Sequence, residues 1–569
     1  MTSIYEEKPW LKLYPEGVSW EVDCPAISLG EAFDRATEKW AGKTAVIFYG
    51  SKISYKELRQ RVDRLATALV QKLGVAKGDR VGLLLLNSPE YLISFYACVK
   101  IGAVVTPISP VYVSSEIKHQ LQDSGARTLI CQDILFEGVE KSGVKLQHVV
   151  LTNISESLPK LKRMMGQGIL RGVYQKMAAP PPEILTREGM HQLQDLIGSH
   201  PAEPPKVDID PQKDLVVLPY TGGTTGPPKG VMITHANTVA NVHQVCQYQS
   251  ILEEGKENLI AYMPYYHAAG QSIGVLMGVL QGFTQVTITT PELDDILTSL
   301  VKHRATVFVG APTMYEMLKD YDKTDRVPWK KFKAIWSGAD SLHEETGRDW
   351  ELRTGTTIGE GYGMTETTAT THMEAAGREK PGAIGFPIPG TVSAILDPEE
   401  DKFVPVGELG EIATMGPQVT TAGYWQRPEV TKECEAIIDG KRWWRTGDLG
   451  RMDEDGYFYV YDRKRDLIKY KGLRVFAREV EEVLKTHPDV KEVGVVGVPD
   501  LLVGENVKAI IVLEGDARGK TSEADITEFC KDKLAHYKIP RTIEFVGEIP
   551  KTDIGKVSRR EIRSMDEEE

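Results

Sequence analysis

The densest run of chemically capable residues is Tyr220-Thr221-Gly222-Gly223-Thr224-Thr225-Gly226-Pro227-Pro228-Lys229-Gly230, directly after the apolar stretch LVVLP. Glycines without Cβ let successive backbone N–H groups turn toward a phosphate, threonine hydroxyls donate further hydrogen bonds, and Lys229 adds a point charge. The expected ligand is a polyphosphate. The loop is not a Walker A motif, because Lys229 stands between Pro228 and Gly230, where that motif requires glycine before and serine or threonine after. A plain Gly/Thr linker seldom combines so many donors with a preceding apolar strand and a terminal lysine.

A second group is Gly361-Tyr362-Gly363-Met364-Thr365-Glu366-Thr367. It offers a backbone turn beside an aromatic face able to stack on a purine, a hydroxyl for a phosphate or carboxylate oxygen at Thr365, and an oxygen ligand for a hard cation at Glu366. By itself Glu366 serves equally well as half of a buried ion pair. Asp448, after Trp443-Trp444-Arg445, suits bidentate contact with ribose hydroxyls or a plain turn. Ser337-Gly338-Ala339-Asp340 ends an apolar strand, and an ordinary strand-to-helix turn remains its other reading. His267, in Met263-Pro264-Tyr265-Tyr266-His267-Ala268-Ala269-Gly270, is catalytic or merely structural, and small residues beside it leave room for a long apolar chain. Lys556, near Arg559 and Arg560, would ordinarily be a surface lysine.

The elements that must position these residues are legible from periodicity. TAVIF, RVGLLLL, GAVVTPI and RTLICQ alternate with amphipathic stretches between Thr44 and Gln132, the pattern of a parallel α/β sheet. Ser88-Pro89-Glu90 predicts a helix start with Ser88 as N-cap, and Gly102 a stop. LVVLPYTGG, NLIAYMPYY, GFTQVTIT, ELDDILTSLVKHR, ATVFVG and KAIWSG predict a second α/β unit after Asp214. Between about residues 383 and 460, Gly and Pro rise and short alternating strands predict a small β-barrel or sheet. A final block of about a hundred residues reads as a small α+β domain behind the basic joint Asp462-Arg463-Lys464-Arg465-Asp466. The fold class is therefore α/β: a large lobe of two α/β units plus a β element over 1–464, then a small mobile domain over 465–569.

Five of these segments resemble, in order, the motifs of the adenylate-forming enzymes, which include acyl-CoA synthetases, 4-coumarate-CoA ligases, insect luciferases and peptide-synthetase adenylation domains. They are YTGGTTGPPKG, GYGMTET, Trp444-Arg445-Thr446-Gly447-Asp448, the basic joint, and Pro550-Lys551-Thr552-Asp553-Ile554-Gly555-Lys556. The resemblance spans about residues 28–563, and the TGG loop is similar to that of long-chain fatty acyl-CoA synthetases. It implies ATP, Mg2+ and coenzyme A. Thr221 through Gly226 and Lys229 would hold the phosphates, with Gly338, Ala339, Asp340, Gly361, Tyr362, Gly363, Met364 and Thr365 around the adenine and acyl phosphate. Asp448 and Arg463 would meet the ribose, and Thr221 and Glu366 the metal. Thr365, Glu366, His267 and Lys556 would be catalytic, Lys556 swinging in to neutralise charge between carboxylate and α-phosphate. The small domain would pivot at Arg465, a departure from the Lys or Asp common there, bringing Lys471, Gly472 and Leu473 to the CoA arm.

The 569 residues include 41% hydrophobic and 26% charged side chains, which excludes wholesale disorder and a membrane-embedded body. A net charge of -13 argues against nucleic acid held by bulk charge, so anionic ligands must be met locally. Six scattered cysteines without a C-x-x-C pair fit a reducing compartment, and neither a secretory signal nor a membrane span is visible. The expected location is cytoplasmic, with peripheral attachment to a membrane's inner face left open. Lys160, Lys162, Arg163, Arg171 and Lys176 lie in 157–182 without one acid, reading either as a basic amphipathic surface for anionic lipid or as a solvated insertion. The function expected is ligation of a medium- to long-chain fatty acid to CoA through acyl-AMP. The alternatives are an aryl-CoA ligase, an acyl-AMP ligase loading a carrier protein, and a non-catalytic nucleotide-binding protein recruited to membranes. Homodimerisation stays open.

Overall fold

The computed structural model describes residues 4–159, 182–221, 227–471, 473–500, 502–515, 517–551 and 557–565. Two mainly parallel sheets dominate the large lobe. The seven-stranded sheet runs, edge to edge, through Ile233–Thr234, Leu215–Val217, Val104–Pro107, Arg80–Leu84, Thr128–Gln132, His148–Thr152 and Met190–Gln192. The nine-stranded sheet runs through Phe386–Pro387, His372–Met373, Gly359–Tyr362, Ala334–Gly338, Val307–Gly310, Asn258–Ala261, Thr284–Thr287, Thr44–Phe48 and Ser51–Ser54.

Contrary to the two contiguous α/β units that the strand pattern predicts, neither sheet is built from one continuous stretch of chain. Each sheet takes a strand from the other's stretch of chain. Thr44–Phe48 pairs in parallel with Thr284–Thr287 of the second sheet, and Leu215–Val217 pairs in parallel with Val104–Pro107 of the first. Alternation of apolar strands and amphipathic helices states the class of sheet but not which strand lies beside which, since pairing depends on long-range packing.

The helix Pro89–Lys100 is buried at every residue from Pro89 to Val99. Proline at its first position and Gly102 at φ 70 mark its ends as expected. Ser88 occupies the N-cap but makes no side-chain cap hydrogen bond, and its Oγ is buried without a partner. Tyr91 and Tyr96, on this helix, donate their hydroxyls to the carbonyls of Tyr265 and Val275, 3.0 and 2.7 Å away. Asn87, just before it, donates to Met263 O at 2.8 Å and accepts from Tyr265 N–H at 2.8 Å. A single buried amide thus ties the end of one sheet to the loop leaving a strand of the other.

The β element is an open five-stranded antiparallel sheet among the described residues, so sheet and not barrel is the form taken. Its 12-residue strand Lys441–Met452 pairs with Gly410–Met415, Glu435–Ile438 and Phe458–Arg463. The last block forms a separate core around Ile468, Val480, Leu484, Val495, Val507 and Ile511. Its helices Ala477–Lys485 and Glu523–Lys531 cover a sheet centred on Val490–Asp500 and Gly504–Leu513. Among the described residues no helix is long and apolar enough to cross a membrane.

Candidate nucleotide and acyl site

Parallel strands present ligands at their carboxyl ends. Ala334–Gly338 and Gly359–Tyr362 lie side by side with Gly338 opposite Gly361, so two of the expected adenine segments share one sheet edge. Beyond Gly338 the chain turns through Ala339 at φ 74, a left-handed conformation that costs a residue bearing Cβ. The Gly361 segment is equally constrained. A Cβ on Gly363 would stand 1.6 Å from the Ala369 carbonyl oxygen, so only glycine allows Tyr362 and Thr365 to flank so tight a return.

Asp448 lies within the long strand Lys441–Met452 and not at a strand end, directly opposite Arg463 on the neighbouring strand. Its Oδ2 accepts from the Tyr362 hydroxyl at 2.6 Å, and its Oδ1 forms an ion pair with Arg463 Nε at 2.7 Å. Burial, then the Asp448 carboxylate, pushes the Tyr362 phenol well above its ordinary range, so it acts as a donor. The same carboxylate, with burial opposing it, raises Arg463 further. One buried acid therefore joins the aromatic of the second motif to the cation of the joint, three residues far apart in sequence.

Glu366, 4% exposed, accepts from the Tyr424 hydroxyl at 2.5 Å, and its carbonyl accepts from Thr420 N–H. Lys229 Nζ lies 4.8 Å from the Tyr424 ring centroid. The Tyr220–Thr221 strand pairs with Lys229–Gly230, with Thr221 opposite Lys229, so the two ends of the glycine-rich stretch are brought together. Gly222, Gly223, Thr224, Thr225 and Gly226 fall outside the described residues. The oxygens of Glu366 and Thr221 suit a hard cation, and among the described residues no cluster of three or more His, Cys, Asp or Glu could hold a metal alone. A cation bound here would be completed by ligand phosphates and water, the usual situation of Mg2+.

His267 caps the short helix Ala268–Gly270, its Nδ1 accepting from Ala269 N–H at 3.3 Å. A π-helical stretch, Gln271–Met277, follows, a form that concentrates at functional sites. Ala261, Met263, Tyr265, Ile273, Gly274 and Val309 line a small cavity of about 10 Å³ beside it. Beside the Gly338 and Gly361 strands, half-buried Glu360 lies against buried Glu374, with Glu374 Oε2 accepting from Glu360 N–H at 3.0 Å. Burial pushes Glu360 up to about 7 and Glu374 up to about 8.

The joint is pinned on either side of Arg465, itself exposed on the one-turn helix Lys464–Asp466. Arg559 bonds Asp462 at 3.0 Å and Glu481 at 2.8 Å, and Arg563 bonds Asp466 at 2.9 Å. Lys485 of the small domain meets His343 of the large lobe. Lys471 and Leu473 occupy an exposed hairpin, Lys471 at φ 49, and no described hydrogen bond or ion pair joins them to the Asp448 or Glu366 clusters. Gly472 and Lys556 lie outside the described residues. Sequence reasoning missed Asn87, Tyr91 and Tyr424. Neither Asn87 nor Tyr91 falls in a chemical motif, and Tyr424 sits in no phosphate- or purine-binding pattern.

This architecture recurs in known proteins. Residues 33–425 match the family model described as AMP-binding enzyme, and residues 479–556 its C-terminal domain. The chain is 36% identical over 568 residues to a long-chain-fatty-acid–CoA ligase of Bacillus subtilis, covering 99% of this chain and 98% of that one. It is 33% identical to the corresponding ligase of Escherichia coli O6:H1, covering 98% of each. Among solved structures, ATP-bound MatB from Rhodopseudomonas palustris matches with a TM-score of 0.80 and 28% identity, over 95% of this chain and 99% of that one. With glycine-bounded strand ends, a buried acid between tyrosine and arginine, and a two-body layout all accounted for, the chain belongs to the AMP-binding enzyme family.

Proposed function

We propose that this enzyme is an AMP-forming fatty acyl-CoA ligase acting on medium- to long-chain acids. The observation that carries the reading is the Tyr362–Asp448–Arg463 knot at the ends of the Gly338 and Gly361 strands, joined to full-length likeness to long-chain-fatty-acid–CoA ligases. Asp448 and Arg463 face the ribose, Tyr362 the purine, and Gly338, Ala339, Asp340, Gly361, Gly363 and Met364 line the adenine and α-phosphate. Thr221, the loop 222–226 and Lys229 receive the phosphates. Glu366 with Thr221 would hold Mg2+, which when bound neutralises phosphate charge. The fatty carboxylate, brought past His267, attacks the α-phosphorus, and pyrophosphate leaves. Thr365 and Lys556 stabilise the charge shared between carboxylate and phosphate. The CoA thiol then attacks the acyl carbonyl and AMP departs, so no protein nucleophile is required and the residues act by positioning and charge.

The two half-reactions divide between two placements of the domain after residue 464, pivoting at Arg465, with Lys471, Gly472 and Leu473 meeting CoA in the second. The basic stretch 157–182, of which 160–181 lie outside the described residues, would touch anionic lipid, and binding to anionic liposomes that ignores charge reversal at Lys160, Lys162 and Arg163 would reject that contact. The principal test is pyrophosphate release with ATP, Mg2+, CoA and acids from acetate through palmitate to cinnamate. Maximal turnover on a long-chain acid is expected, a maximum on cinnamate would replace the reading with an aryl-CoA ligase, and no turnover on any acid would reject ligation.

A further inference from the structure

Tyr424 lies outside every motif the sequence singles out, yet it touches both halves of the phosphate end of the site. Its hydroxyl donates to Glu366 Oε1 at 2.5 Å, and Lys229 Nζ stands 4.8 Å from its ring centroid. The ring has no room to turn. It is 6% exposed, and Trp444 packs against it with centroids 5.7 Å apart and a 53° tilt. Its backbone is held as firmly: the Tyr424 N–H donates to Thr431 Oγ1 at 2.9 Å, and the residue bridges to Val231, just past the Lys229 strand. Before it, Gly423 takes φ 73, and a Cβ there would stand 2.1 Å from Thr431 Cγ2, so the approach admits no other residue.

Each contact has a distinct consequence. A hydroxyl donated to one carboxylate oxygen fixes the plane of the carboxylate and leaves its other oxygen direction for a ligand. The electron-rich ring face attracts an ammonium group and restrains a four-carbon side chain that would otherwise sample many rotamers. The neighbouring Cys434 thiol, pushed up to about 11 chiefly by burial, adds no charge.

We infer that Tyr424 is a positioning residue that sets Glu366 through its hydroxyl and Lys229 through its ring, so that a metal–triphosphate complex meets both at once. The inference rests on the ATP-dependent reading of the site, and its test separates the two. Tyr424→Phe keeps the ring and removes the hydroxyl, whereas Tyr424→Leu removes both. Two measurements are made without fatty acid or CoA: Mn2+ binding to the ATP-loaded protein by electron paramagnetic resonance, and ATP binding in EDTA by calorimetry. Tyr424→Phe should weaken Mn2+ binding about 10-fold or more while leaving metal-free ATP binding within about 2-fold. Tyr424→Leu should weaken metal-free ATP binding as well, by about 2- to 5-fold, a loss that phenylalanine restores. Unchanged Mn2+ affinity in Tyr424→Phe, or equal losses of both ligands in the two variants, would overturn the role. If the wild type neither binds Mn2+ with ATP nor releases pyrophosphate, the functional reading itself fails, whereas a fully active wild type with an indifferent Tyr424→Phe sinks only this inference.

Discussion

Gly363→Ala should abolish most adenylation while leaving the protein folded. A Cβ built on Gly363 would stand 1.6 Å from Ala369 O, 2.6 Å from Ala369 C and 2.9 Å from Thr370 Cα, all backbone atoms. Contacts below 3.0 Å are essentially never tolerated, so the carbonyl must retreat by about 1.4 Å. It cannot do so alone. Ala369 N–H donates to Met364 O at 3.1 Å and Thr371 N–H to Tyr362 O at 2.9 Å, so the return strand moves with Tyr362 on one side and Thr365 and Glu366 on the other. Overpacking of this kind costs about 1–3 kcal/mol of stability, less than the roughly 5–15 kcal/mol that holds a domain folded. A 1 Å misplacement of reacting groups costs about 10²-fold in rate, so acid-dependent ATP–pyrophosphate exchange should fall by about 10²-fold or more. Gly347→Ala is the control: its Cβ would meet only Leu342 Cδ2 at 3.6 Å, within the helix Glu344–Thr354, where alanine is favoured over glycine by about 1 kcal/mol. Exchange within about 3-fold of wild type in a folded Gly363→Ala protein would refute the claim that this close approach sets the site.

Asp448→Ala would leave Arg463 and Tyr362 without their shared partner, lowering stability by about 3–5 kcal/mol in denaturant unfolding and raising the KM for ATP; an unchanged KM would return Asp448 to a structural part. The folded-state pKa of Glu374, about 8, lies above its unfolded value, so the stability its protonated form contributes is present in acid and lost as pH rises through about 8. The wild-type Tm should accordingly drop between about pH 5 and pH 8, and Glu374→Gln should shrink the drop; an equal drop would mean that other groups govern it. Arg559→Met removes the cation shared by Asp462, Glu481 and Asp466, and tryptic cleavage after Arg463, Lys464 or Arg465 should accelerate, whereas an unaltered rate would mean that the joint is held elsewhere.

What the sequence made legible was local. Gly102, the proline-led helix at Pro89, and the strand end at Gly338 fall where turn chemistry and periodicity place them, whereas Gly361, read as a turn, lies inside the strand Gly359–Tyr362. What it hid were long-range pairings. Nothing in TAVIF distinguishes a strand that joins its neighbours in the chain from one that crosses to Thr284–Thr287. Asp448 by itself reads equally as a ribose contact or a turn, and only the pairing of its strand, with a register shift just after it, puts the acid opposite Arg463. Tyr424 was invisible because its value lies in two side chains, 58 and 195 positions earlier, and no spacing rule connects them.

The same reasoning explains why one amide and two tyrosine hydroxyls matter more than their energies suggest. Net hydrogen bonds contribute about 1 kcal/mol each, a small term for a protein of this size. Asn87, Tyr91 and Tyr96, however, all reach from the first sheet's segment to the stretch 263–275 that carries His267, the π-helical turn and the small cavity. On the function proposed above, the acyl wall would stand on the second sheet, and the phosphates would be met beyond Leu215–Val217 of the first. A reaction between a carboxylate at one and a phosphorus at the other requires the two sheets to keep a fixed relation. The polar residues that break an apolar run are what fix it, since apolar packing alone permits sliding and paired hydrogen bonds do not.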